Sequence, residues 1–215
     1  MNYDPMSTIL LLFGLSLLPV VIVLTTSFIK IAIVLILTRE SLGVQQVPPN
    51  IVVYALSLIL TCYIMGPVYN KSMQAMSQDI NSGKPITYQT MLNDFELSSK
   101  PVKQFLERNS DLAERKFFFK TLQQTWSKDM LANVKNDDFI ILIPAFVISE
   151  LTQAFKIGFL IYLPSIIIDI IVSNILMAMG MMMMSPVTIS LPIKLLLFIA
   201  INGWSRLIHI LLGTY

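Results

Sequence analysis

Nineteen of the chain's 28 charged residues fall between Tyr69 and Asp138, and the remaining 145 positions hold only nine. A soluble fold needs charge along its whole length to face water, so this distribution constrains the architecture more than any motif does. Charged residues make up 13% of the sequence and hydrophobic residues 55%. That is about half of the ~25% charge usual in soluble domains. Together with a mean hydropathy of +0.71, it assigns the chain to a membrane. Its 215 residues allow one or two domains. Three parts follow from composition: an apolar Met1–Val68, a water-exposed insert Tyr69–Asp138, and an apolar Phe139–Tyr215. A net charge of +2 without any basic run does not indicate nucleic acid, and the single Cys62 excludes a disulfide framework within one chain.

The apolar parts read as helices punctuated by proline. Ile9–Leu37 is long enough to span a bilayer, with Pro19 near its middle. It carries Asp4 and no base ahead of it, and no small-residue cleavage site after it, so a retained segment is expected rather than a signal peptide. Pro48 and Pro49 close a polar turn before Ile51–Val68. Three further runs follow, Phe139–Ile148, Ile157–Leu176 and Val187–Ile201, with Pro144, Pro164, Pro186 and Pro192 expected to interrupt them. Such breaks suit helices packed on protein, where neighbours satisfy the freed carbonyls. Within the insert, Pro101 fits a first helical turn, and Asp111 with Glu114 resembles a capping box opening a second helix. Leu112, Phe119, Leu122 and Trp126 then fall near one face, expected to pack within the insert or on a neighbouring subunit. Arg39 is the main positive-inside signal, which sets the 38–50 turn in the cytoplasm and the insert outside.

Five charges stand in or beside apolar runs: Lys30, Glu150, Lys156, Asp169 and Lys194. Each costs about 2.5–3.5 kcal/mol at a helix centre facing lipid, so pairing between helices or between subunits is expected. Lys30 has the alternative of snorkelling to water, whereas the short Asp169 side chain does not. A proton or ion relay is the functional alternative for Asp169.

Enzyme chemistry finds little support. His209 is the only histidine, which excludes His-Glu-x-x-His zinc sites, and Gly83-Lys84 lacks the rest of a phosphate loop. No metal or cofactor site is expected. The remaining anomaly is "MAMGMMMMSPVTISLP", Met177–Pro192, which holds six of the 13 methionines. Thioethers select Cu(I), but no Cys, His or carboxylate flanks this cluster. Scattered methionines fill irregular gaps in cores. Four in a row at a turn cannot share one buried helical face, yet several copies of the chain could present them to a channel axis.

The segments "LGVQQVPPN" (Leu42–Asn50), "LTQAFKIGFLIYLP" (Leu151–Pro164), "DIIVSNILMAMGMMMMSPVTISLPIKLLLF" (Asp169–Phe198) and "NGW" (Asn202–Trp204) resemble the SctR/FliP export-gate family. Its members are the R subunit of bacterial type III secretion injectisomes and the P subunit of the flagellar exporter. The first 70 and last 80 residues carry the likeness, and the missing signal peptide favours the injectisome branch. The resemblance implies an all-α, membrane-associated protomer of helical hairpins with proline-broken helices, assembled as a pentamer-like ring with the S and T subunits (flagellar Q and R). It also implies an inner-membrane setting in contact with lipid, and as neighbours the U switch subunit, the V export subunit and the inner rod and needle proteins. Unfolded secreted proteins would pass through the channel. By match, Met181, Met182 and Met183 form a methionine gasket, with Met184 beside them. Glu150, Asp169 and Lys194 match charged positions that the family uses within and between subunits, with pairing between subunits favoured. A small-solute transporter with discontinuous helices is the alternative reading, and a membrane scaffold without a channel is a third.

Overall fold

The computed structural model describes residues 5–44, 47–80, 88–131, 134–181 and 183–215. Nine helices form among the described residues: α1 (Pro5–Thr25), α2 (Phe28–Ser41), α3 (Asn50–Ile80), α4 (Tyr88–Asn109), α5 (Leu112–Thr125), α6 (Lys128–Leu131), α7 (Phe139–Ala178), α8 (Pro186–Ala200) and α9 (Gly203–Gly213). The chain is all-α, as expected. Among the described residues, two helices, α7 and the Asn50–Ala75 part of α3, are long and apolar enough to cross a membrane, or up to four if each bent pair counts as one span.

Proline placement differs from the sequence-based expectation. The runs Phe139–Ile148 and Ile157–Leu176 are joined in one 40-residue helix, α7, which passes through Pro144 and Pro164. Each proline removes one donor and frees one carbonyl, a local loss that a helix with many other bonds absorbs. Pro19, Pro67 and Pro192 also lie inside helices, whereas Pro186 opens α8 at its first position. Pro101 stands in the middle of α4 rather than in a first turn. At ~1.5 Å per residue α7 is ~60 Å long. That is about twice the ~30 Å hydrocarbon core of a bilayer, so α7 is longer than one span requires.

The residues cluster into two compact units, each discontinuous in sequence: Met1–Ile29 with Met65–Glu150, and Lys30–Ile64 with Leu151–Tyr215. The three compositional parts do not coincide with them, because charge density follows exposure to water whereas compactness follows packing.

In the first unit, Leu106 of α4 is buried against Leu142 and Phe146 of α7, with Val102, Phe105 and Phe139 around them. The Phe105 and Phe146 rings lie 5.8 Å apart, tilted. Asp138 begins α7: its carbonyl accepts from the Ile141 and Leu142 amides, and its carboxylate accepts from the Lys135 amide. Asp111 caps α5, accepting from the Ala113 amide at 2.9 Å. The second half of the expected capping box is taken elsewhere. The Asp111 amide donates to Ser149 Oγ of α7 at 2.8 Å, not back to Glu114. No residue of α5 is buried, and Phe117 is exposed against an edge-on Phe118. The expected packing of this helix within the insert is therefore not what holds it. Its anchors are the cap and the Ser149 bond, worth about 1 kcal/mol each, and the Arg115–Glu107 ion pair at 2.9 Å.

In the second unit, Ile31, Val34 and Leu35 of α2 pack with Val53 and Leu60 of α3, Ala154 of α7, and Leu207 and Leu211 of α9. Arg39 is buried, donating from Nη1 to Asn50 Oδ1 at 2.6 Å and to the Pro48 carbonyl at 3.1 Å. The residue read as a topology signal thus closes its own turn. Ser165 of α7 donates to the Ser41 carbonyl at the end of α2.

α8 and α9 meet at a 62° bend. Asn202 turns the chain there with φ 53°, a left-handed conformation that asparagine tolerates better than most residues. Gly203 follows because a Cβ would lie 2.4 Å from the Phe198 ring, which itself meets Trp204 edge-on at 5.3 Å. Gly203→Ala must displace that ring and is expected to cost about 1–3 kcal/mol, as overpacking does. A lowered melting temperature of the purified protein would report it; an unchanged one would mean the bend yields freely.

Candidate functional site

The methionine segment occupies the connection between α7 and α8, and its backbone explains why it is a turn. The Met181 amide donates to the Leu176 carbonyl at 2.9 Å, and the Gly180 amide to the Met177 carbonyl at 3.0 Å. These are the two bonds of a Schellman motif, with Gly180 at φ 75° in the left-handed position that glycine fills without strain. The Met184 amide then returns to the Met181 carbonyl at 3.2 Å. Ser185 and Pro186 start the next helix. Glycine stops one arm and proline starts the other.

The side chains are left outside. Met183 is wholly exposed, and Met181 and Met184 are about half exposed, at 46% and 50%. Met182 lies outside the described residues. A methionine that fills this chain's own core would be buried, and none of these three does so.

Below the turn, the two arms are tied. Asp169 of α7 accepts from Lys194 Nζ at 2.6 Å through Oδ2 and from Ser190 Oγ at 2.5 Å through Oδ1. Ser190 and Lys194 are four apart on α8 and so share one face. Both are buried, while Asp169 keeps about a third of its side chain exposed. The pairing is between helices of one chain, one of the two arrangements expected for these charges. Ser190 was missed in the sequence. Its signal was a hydroxyl one helical turn before the sole charge of α8.

The other candidate charges are placed separately. Lys30 is fully buried, which overturns the snorkelling alternative: its ammonium donates to Gln153 Oε1 at 3.0 Å and stands 3.8 Å from the Tyr215 ring centre. Glu150 is also fully buried and is not left without a partner. Lys156 is exposed. Among the described residues, Lys30 meets Gln153 and Tyr215, whereas Lys194 meets Asp169.

These features define a helical membrane protein that holds a soft apolar turn at the tip of a charge-tied hairpin. The chain belongs to the FliP family, which it matches over residues 11–211. It is 45% identical to Yop proteins translocation protein R of Yersinia pestis over 212 residues, covering 99% of this chain and 97% of that one. It is 47% identical to the virulence protein YscR of Salmonella typhimurium over 204 residues, covering 94% and 92%. The harpin secretion protein HrcR of Erwinia amylovora is 43% identical over 217 residues, covering 100% of this chain and 98% of that one.

Proposed function

We propose that the chain is a core subunit of the export gate of a type III secretion system, in which several copies surround a channel closed by their methionine turns. Membership of the FliP family, and full-length relatives named for translocation and secretion, support a component of the secretion export apparatus. The observation that carries the channel reading is the methionine turn itself: long apolar side chains held out at a hairpin tip with no core to enter. Unbranched thioethers rearrange at low cost, so a ring of them excludes ions yet yields to passing polypeptides of varied sequence.

In this reading Met181–Met184 line the constriction and the transported species is an unfolded protein, moved without chemistry on this chain. The copies form a pentamer-like ring with the S and T subunits in the bacterial inner membrane, with the polar insert on the periplasmic side. The U and V components and the rod and needle proteins are the further neighbours. The buried Lys30, Glu150 and Lys194 and the half-buried Asp169 hold helices and subunits in register, with Lys156 free to meet another subunit.

If the turns of several copies converge, cysteines placed there must be close. Met183→Cys, in a Cys62→Ser background, leaves one thiol per chain and is expected to give a covalent dimer with a short bifunctional maleimide. Monomer alone, in a sample that still contains the complex, would contradict the convergence.

A further inference from the structure

Asp169, Ser190 and Lys194 hold more than a neutralised charge. We propose that Asp169 is a positioning residue and that its division between Ser190 and Lys194 holds the methionine turn closed; this rests on the channel reading above. The turn has no packing of its own to fix it, since the methionines described in it are half to wholly exposed. Its place is therefore set by the arms. From Asp169 to Ala178 the α7 arm measures ~14 Å, and from Pro186 to Ser190 and Lys194 the α8 arm measures ~6 and ~12 Å. A 10° change between arms of that length moves the tip by roughly 2 Å, comparable to the width of a dehydrated ion. Among the described residues, the Ser190 and Lys194 side-chain hydrogen bonds that join the two arms both end on Asp169.

Ser190 makes the tie a two-position device. Its single hydroxyl proton faces two acceptors, Asp169 Oδ1 at 2.5 Å and the Val187 carbonyl of its own helix at 3.2 Å. The charged and closer acceptor wins, because charge-assisted bonds are about twice as strong as neutral ones. Without the carboxylate charge, the hydroxyl falls back to Val187, the ordinary habit of serine inside a helix. The arms are then released from each other while each helix stays intact.

The test uses bacteria carrying the complete export apparatus, with potassium efflux as the leak and native mass of the extracted complex as the assembly control. Asp169→Asn is expected to raise efflux about tenfold, because it weakens both bonds of the tie, and Ser190→Ala about threefold, because it removes one bond and leaves the ion pair. Ser190→Thr, which keeps the hydroxyl, is expected to leak as little as the unaltered protein. A Met181→Ala, Met183→Ala variant serves as the reference for an open constriction. If that variant leaks while Ser190→Ala does not, the tie does not position the turn, and the channel reading stands. If Ser190→Thr leaks as much as Ser190→Ala, packing rather than the hydroxyl is responsible, and the proposal is overturned. If neither the methionine nor the tie variants leak, the channel reading itself fails and takes the proposal with it. Should Asp169→Asn fail to assemble, Ser190→Ala decides alone, since it leaves the ion pair in place.

Discussion

Cutting Met181, Met183 and Met184 back to alanine is expected to make the assembled gate leak small ions by at least about tenfold while secretion continues. Each substitution removes three heavy atoms from a side chain that reaches out of the turn. An apolar constriction blocks ions by being too narrow and too dry to hydrate them, so widening it in every copy of a ring at once admits water. The backbone of the turn does not depend on those atoms. Its Schellman bonds and its Met184–Met181 bond are made by amides and carbonyls, and Gly180 remains. Exposed side chains of this kind contribute within about 0.5 kcal/mol to stability, so the complex is expected to assemble normally. Normal assembly with unchanged efflux would remove the methionines from the gate.

Reversing Asp169 to lysine is the second large effect. It sets a second ammonium against the buried Lys194, 5% exposed, where the two atoms now paired lie 2.6 Å apart. Losing one partner of a buried pair costs about 3–5 kcal/mol, and like-charge repulsion adds to it. A sum of that size rivals the whole net stability of many domains, which is about 5–15 kcal/mol. The α7–α8 hairpin is therefore expected to fail, with no complex recovered from membranes. Adding Lys194→Asp restores opposite charges and is expected to recover assembly in part. A complex of normal size from the single variant would show that Asp169 carries little of the hairpin's stability.

The sequence made some of this legible because the relevant causes are local. Asp111 announced a helix start through its own side chain, and Gly180 with Ser185-Pro186 announced the ends of the arms through backbone preference. The membrane setting followed from composition and charge distribution, and the all-α class from the apolar runs together with the family resemblance. What was not legible depended on distant partners. Pro144 and Pro164 looked like breaks, because a proline cannot reveal whether its helix has enough other support to continue. Lys30 looked able to reach water; only its neighbours Gln153 and Tyr215, more than a hundred residues on, show that it is buried and engaged. The Asp111 amide finds Ser149 rather than Glu114 for the same reason. Ser190 matters only because α7 brings Asp169 to it, a fact of tertiary packing.

The central claim, that this chain acts as one of several copies around an export channel, is tested most directly by the native mass of the complex extracted with its neighbours in mild detergent. A mixed assembly containing several copies of the chain together with two other membrane subunits is expected. A monomer or a dimer of this chain alone, extracted under conditions that keep the other subunits associated with each other, would contradict it.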